Sequence, residues 1–159
     1  MRIAIYPGSF DPVTCGHLDI LGRALGLFDK VIIAVAKEST KQSVFSVQER
    51  VVMLCEVTRD MPKVTVDAFE GLTINYAKRV GAEVVIRGLR AMSDFEFEFQ
   101  MALMNKKLEP SIETVFLMTQ SDFSFISSSA IKSVVSMGGT VAGLVPVQVE
   151  EELKRKYFG

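Results

Sequence analysis

Histidine is almost missing from this chain: His17 is the only one among 159 residues. No serine or cysteine nucleophile can therefore be matched to a spare histidine base. Cysteine is nearly as scarce. Cys15 and Cys55 make no disulfide framework, and a reducing cytoplasm is the expected compartment. Charge of one sign is not in excess, since the formal net charge is −1. No global field draws nucleic acid or an anionic membrane, and neither is expected as a partner. No apolar run approaches the roughly 20 residues that span a bilayer, and no signal-peptide pattern is found. Neither Gly-x-x-x-x-Gly-Lys-Ser/Thr nor Gly-x-Gly-x-x-Gly occurs, so the P-loop and dinucleotide fingerprints are absent. Internal repeats and low-complexity segments are absent too.

What is present suits one globular domain over residues 1–159, because 48% of the residues are hydrophobic and 23% are charged. The chain is organised around Tyr6-Pro7-Gly8-Ser9-Phe10-Asp11-Pro12-Val13-Thr14-Cys15-Gly16-His17. This stretch follows an apolar strand, Ile3 to Tyr6, and precedes a helical pattern that begins near Leu18. Its prolines and glycines imply a tightly turned backbone. Gly8 and Gly16 would let a bulky ligand approach the main chain, and Ser9 and Thr14 add hydroxyls. His17 falls in the first turn of the next helix, where free N–H groups and the helix dipole favour phosphate. A metal site of Asp11, Cys15 and His17 would lack a fourth ligand and the usual spacing.

Strand and helix patterns alternate along the rest. Lys30 to Ala36 reads as a strand buried on both faces. Ser46-Val47-Gln48-Glu49 is a capping box opening a helix to about Arg59, with Val47, Val51, Leu54, Cys55 and Thr58 on one face. Cys55 is thus expected in the core. Lys63 to Phe69 alternates as a strand, Leu72 to Val80 is helical and stopped by Gly81, and Ala82 to Ile86 is a further buried strand. Ser93-Asp94-Phe95-Glu96 forms a second capping box. Phe95 to Phe99 alternates with period two, but the cap, the helix formers after it and Pro110 favour a helix. Ile112 to Met118 is a fifth strand. Ser127 then caps a helix ending at Gly138-Gly139, and Pro146 opens a last one. The Lys154-Arg155-Lys156 cluster lies in the final turn of that helix, where cations suit the dipole.

Five strands separated by helices imply a doubly wound α/β domain with a parallel sheet and right-handed crossovers. Ligands bind such sheets outside the carboxyl ends of the strands. Every predicted strand end on that rim carries cations, hydroxyls or glycine, including Lys41 after the second strand and Thr73 after the third. That convergence points to a polyanionic ligand. Arg87-Gly88-Leu89-Arg90 places two guanidiniums beside a glycine that opens the main chain, and guanidinium meets phosphate bidentately. One serine would suffice as a cap, so Ser127-Ser128-Ser129 has hydroxyls and amides to spare for phosphate. Glu98 alone reads as an exposed helix carboxylate.

Ser9-Phe10 with Thr14-Cys15-Gly16-His17, then Arg87 to Arg90, then Ile126-Ser127-Ser128-Ser129, resemble the nucleotidyltransferase superfamily with its Thr/His-x-Gly-His signature. With Asp94-Phe95-Glu96-Phe97-Glu98 added, the spaced set is similar to the bacterial phosphopantetheine adenylyltransferase family, from Met1 to the last helix. The resemblance implies a Rossmann-like nucleotidyltransferase fold. It also implies transfer of AMP from ATP to 4′-phosphopantetheine, giving dephospho-coenzyme A and pyrophosphate, with Mg²⁺ carried mainly by ATP. It implies a catalytic set of His17, Lys41 and Arg90. Ser9, Lys41, Thr73 and Arg87 would contact phosphopantetheine. ATP would be contacted by Ser9, Phe10, His17, Gly88, Leu89, Arg90 and Glu98, and by Phe123, Ser124, Phe125, Ile126, Ser127, Ser128 and Ser129. A cytoplasmic homohexamer under feedback inhibition by coenzyme A is implied as well. Ser9, Thr73 and Phe123 depart from the family's commoner threonine, larger apolar residue, and tryptophan or tyrosine. Two rivals remain: a sister enzyme with a nicotinamide mononucleotide or glycerol phosphate acceptor, and a sensor that binds ATP without turnover.

Overall fold

A computed structural model describes residues 1–37 and 42–159, with Met92 and Ser93 described by backbone alone. Lys41 therefore lies outside the described residues. The elements run β1 (Ile3–Gly8), α1 (Cys15–Leu25), β2 (Lys30–Ala36), α2 (Val47–Val57), β3 (Val64–Phe69), α3 (Thr73–Arg79), β4 (Val84–Leu89), α4 (Met92–Leu108), β5 (Glu113–Met118), a 3-10 turn (Ser121–Phe123), α5 (Ser128–Ser136) and α6 (Val147–Phe158). The sheet order is β3-β2-β1-β4-β5, and every pairing is parallel. This is the doubly wound α/β domain that the alternation implies. Its order reverses between β1 and β4, the crevice where such sheets hold ligands.

Side-chain alternation divides the interior in two. Ala4, Tyr6, Val31, Ile33, Val35 and Ile86 face a larger core covered by α1, α2, α5 and α6. Ile5, Ile32, Ala34 and Val85 face a smaller one covered by α3, with Tyr76 stacked on Phe69 at 5.0 Å. Burial from Val31 to Val35 on both sides explains the unbroken apolar run of β2. β3 is an edge strand, so its residues alternate between partly buried and exposed. No helix among the described residues is long and apolar enough to cross a membrane.

Several local expectations change. Cys55 is exposed, because α2 turns Arg50, Met53 and Leu54 inward instead. The buried guanidinium of Arg50 rotates the inner stripe away from the purely apolar one. α4 starts one residue before Ser93: Ala91 occupies the cap position and supplies no side-chain bond. Pro146 is the cap residue of α6 and not its first helical residue. Lys156 pairs with Glu49 of α2 at 2.9 Å, so the terminal basic cluster also ties two helices together.

Candidate active site

The turn after β1 is pinned from several directions. Phe10 takes φ 50°, a left-handed conformation that costs a non-glycine residue free energy and persists only where its surroundings enforce it. Its ring is buried against Tyr6 and His17, at centroid distances of 5.3 and 4.8 Å. The buried Asp11 carboxylate accepts the N–H groups of Val44 and Phe45, each at 2.9 Å, and pairs with Lys132 Nζ at 2.8 Å. Arg50 donates to the carbonyl of Ser9 at 2.7 Å and to that of Ala36 at 3.4 Å. Asp11 is thus committed to the scaffold. Among the described residues, no three His, Cys, Asp or Glu side chains are arranged to hold a metal ion.

His17 is the third residue of α1, and Thr14 is the cap. The Thr14 hydroxyl accepts the His17 N–H at 3.3 Å, and the Thr14 N–H donates to Nδ1 of His17 at 3.0 Å. An Nδ1 that accepts a backbone N–H leaves the proton of a neutral imidazole on Nε2. Burial, then the Arg90 and Arg87 charges, lower the imidazole pKa to about 4. At neutral pH His17 is therefore an uncharged Nε2–H donor.

It borders a cavity of about 560 Å³ at the β1/β4 crevice, lined also by Tyr6, Ser9, Arg87, Gly88, Arg90, Asp94, Glu98 and the start of α5. β4 is longer than the sequence suggests. Its pairing with β5 continues through Leu89↔Met118, so Arg87, Gly88 and Leu89 lie in the strand and Arg90 is the first residue past it. Arg87, Gly88 and Arg90 border the cavity, whereas Leu89 does not. Arg90 donates to the Ile126 carbonyl at 2.9 Å and pairs with Asp94 at 3.2 Å. A Cβ on Gly88 would stand 3.0 Å from Ile20 Cγ1, so this glycine admits helix α1 onto the sheet as well as bordering the cavity. Gly8 is similar, since its Cβ would meet the Phe10 ring at 3.1 Å.

Arg87 is held by Glu98 of α4 in a two-pronged pair, Nε to Oε2 at 2.7 Å and Nη2 to Oε1 at 2.5 Å, and donates from Nη1 to the Pro7 carbonyl at 3.1 Å. The exposed carboxylate expected at Glu98 is instead a partner for the strand arginine. Both residues also border a second lobe of about 180 Å³, with Thr73, Met101 and Asn105.

At the start of α5, Ser127 caps by accepting the Ala130 N–H at 3.1 Å, and Ser128 donates its hydroxyl to the Pro12 carbonyl at 2.9 Å. Two of the three serine hydroxyls therefore have structural work, leaving Ser129 and the first-turn amides toward the cavity. Ile126 is buried and lines the cavity beside them. Phe123 packs on the larger core, Ser124 bonds the Ser121 carbonyl at 3.0 Å, and Phe125 is exposed; none of these three lines the cavity.

The cytidylyltransferase-like family model matches residues 5–134. A phosphopantetheine adenylyltransferase of Carboxydothermus hydrogenoformans is 57% identical over 99% of this chain and 97% of its own length. The enzyme of the same name from Desulfitobacterium hafniense is 58% identical over 99% and 96%, and that from Clostridium tetani 52% over 98% of each. The chain belongs to the phosphopantetheine adenylyltransferase family. It is accordingly a nucleotidyltransferase.

Phosphopantetheine adenylyltransferase kinship extends to the fold of more distant structures. A solved structure from Vibrio parahaemolyticus, described as a candidate nicotinate-nucleotide adenylyltransferase, superposes with TM-score 0.73 at 17% identity, covering 97% of this chain and 99% of that one. A lipopolysaccharide core biosynthesis protein of Thermoplasma volcanium gives 0.58 at 20% identity over 76% and 98%. Within this phosphopantetheine adenylyltransferase-family site, Asp11, Arg50 and Lys132 are the residues that motif reading misses. Asp11 and Lys132 stand 121 positions apart, and no local pattern links them. Thr14 and His17 carry a readable signal: their spacing is that of a capping box with imidazole in place of the usual Glu or Gln.

Proposed function

We propose that this enzyme transfers AMP from ATP to 4′-phosphopantetheine, releasing pyrophosphate and forming dephospho-coenzyme A in coenzyme A biosynthesis. The observation that carries the reading is the convergence of Arg87, Arg90, the neutral His17 donor and the first turns of α1 and α5 on one cavity. These groups suit charge stabilisation on phosphates, and the names of the close relatives supply the acceptor. ATP would lie in the larger lobe against Arg90, Ser129 and the α5 amides, with Ser9, Phe10, Gly88 and Ile126 around it. The acceptor would reach through the smaller lobe past Thr73, its phosphate on Arg87 and on Lys41. His17, Arg90 and Lys41 would stabilise the pentavalent phosphorus.

The acceptor phosphate is its own nucleophile, so no general base is needed. His17 is poorly suited to a covalent intermediate. To attack through Nε2 it would have to move its proton to Nδ1, which already accepts the Thr14 N–H. Direct in-line displacement without a covalent intermediate follows. Asp94 and Glu98 are each paired to an arginine, so the described residues form no carboxylate cage of their own. That suits Mg²⁺ carried in on ATP, where it would neutralise phosphate charge.

A cytoplasmic homohexamer inhibited by coenzyme A completes the proposal. Supporting self-association, no described residue of α4 is buried, and Phe97, Met101, Leu103, Met104 and Leu108 are all exposed. The first experiment is ATP-dependent pyrophosphate release with 4′-phosphopantetheine, run beside nicotinamide mononucleotide and glycerol phosphate with ATP or CTP. Release only with phosphopantetheine is expected. ATP binding without release would identify a sensor. Inversion at a sulfur-labelled α-phosphorus is the stereochemical expectation, and retention would require a covalent AMP–enzyme.

A further inference from the structure

Two tyrosines of this protein are buried, and the surroundings of their hydroxyls differ. Tyr76 is 1% exposed and donates its hydroxyl to Asp67 at 2.8 Å. Tyr6 is 5% exposed, and its hydroxyl has no hydrogen-bond partner among the described residues. A buried tyrosine hydroxyl ordinarily finds a partner, because taking it out of water unpaired costs free energy. Asp19 is the carboxylate whose charge acts on Tyr6, but it is engaged by the Gln120 N–H at 2.9 Å and by Arg23 at 3.3 Å. Among the described residues no fully enclosed side-chain nitrogen or oxygen lacks a partner. The unpaired Tyr6 hydroxyl is therefore where this residue opens on the cavity that it lines.

We propose that the Tyr6 hydroxyl is a further ligand for the substrate phosphates, donating its proton to a phosphate oxygen held in the cavity with His17, Arg87 and Arg90. This rests on the reading of the cavity as a phosphate-transfer site. Three features carry it. First, Tyr6 stands on central strand β1, and its ring meets Phe10 and His17 edge-on at 5.3 and 6.4 Å. A donor fixed in this way needs no reorganisation to meet its ligand. Second, the Arg87 and Arg90 guanidiniums are both near enough to act on the phenol, so an anion held by them is brought to the same corner of the cavity. Burial outweighs those cations and raises the Tyr6 pKa above its ordinary 10, which keeps the hydroxyl a neutral donor and no base. Third, phenylalanine would fill the same space with no oxygen to leave unpaired. The fold gains nothing from this hydroxyl, and a group that costs stability without an internal partner marks a functional position.

The test is Y6F, which removes that one oxygen. Its Kd values for ATP, 4′-phosphopantetheine and magnesium pyrophosphate are measured by calorimetry, beside kcat and the denaturation midpoint. At least one Kd should rise, or kcat fall, roughly tenfold, as expected for a lost bond to a charged group. The midpoint should stay level or rise. Weakening of ATP and pyrophosphate together puts the hydroxyl on the nucleotide's phosphates, and weakening of phosphopantetheine alone puts it on the acceptor's. A fall confined to kcat puts it on an oxygen that gains charge during reaction. If every constant stays within about twofold of wild type, or activity falls only together with the midpoint, Tyr6 is a core aromatic and the proposal is overturned. A second readout needs no change at position 6. The chain has three tyrosines, so ¹³Cζ-tyrosine lines of wild type are assigned with Y76F and Y157F. The Tyr6 line should move when ATP or phosphopantetheine is added, and a line unmoved by both overturns the contact. If phosphopantetheine elicits no pyrophosphate release while Y6F still weakens ATP or pyrophosphate, the transfer reading fails and the phosphate contact stands.

Discussion

Helices α1 and α4 follow neighbouring central strands and open on the same cavity, yet they are held in opposite ways. α1 has a complete capping box and buries Ile20, Leu21 and Ala24. α4 has no side-chain cap, and none of its described residues is buried. α1 delivers His17, whose donor atom must meet a reacting phosphate within a fraction of an ångström, so its start is clamped by Thr14, Asp11 and Arg50. α4 delivers Asp94 and Glu98, which reach the site through ion pairs with arginines. One helix is positioned by packing and capping, the other by charge.

The sharpest break is His17→Ala. Loss of a preorganised donor should reduce kcat by roughly 10²–10³ with a normal fold, checked by steady-state rates beside circular dichroism. Loss of the fold would return His17 to a purely structural role. Next is a matched pair of truncations. Ile20→Ala in α1 should cost about 2–4 kcal/mol in denaturant unfolding, and Leu103→Ala in α4 less than about 0.5 kcal/mol. An equal cost at Leu103 would mean that α4 is covered in solution, in support of the proposed self-association; sedimentation would then show dissociation of the variant.

A smaller effect is expected from Thr14→Ala, which deletes the cap hydroxyl but keeps the N–H to Nδ1: about 1 kcal/mol of stability, with a modest fall in kcat. Giving α4 the cap it lacks, by Ala91→Ser, should stabilise by up to about 1 kcal/mol. Last comes pH. The His17 pKa is lowered to about 4 from an ordinary 6.5, so the unfolded chain binds the extra proton between those values. Stability from this group is full above about 6.5 and declines as pH falls toward 4. Denaturation midpoints should follow that slope in wild type and lose it in His17→Gln, while kcat shows no His17 ionisation near neutrality.

Much of this was legible in the residues. Alternating patterns and continuous apolar runs announce a parallel doubly wound sheet, because burial on both faces leaves no alternative to such strands. The turn from Tyr6 to His17, the two arginines and the serine run locate the rim. Errors arose where a local rule met a non-local partner. Cys55 looks apolar and inward until Arg50 takes the inner position to reach the carbonyls of Ser9 and Ala36. Gly88 borders the cavity as its position suggests, and it also makes room for Ile20 of α1, which no local pattern announces.

By itself the sequence determined the element types, the order of helices and strands, and the chemistry collected at the strand ends. Those follow from periodicity, caps and turn residues, all of which act over a few positions. Tertiary structure alone decided that burial beside Arg90 and Arg87 would keep His17 uncharged, that Asp11 would pair with Lys132, and that Glu98 would hold Arg87. Each depends on distances between groups set by sheet order and helix packing, and electrostatics in a half-buried site changes steeply over a few ångströms.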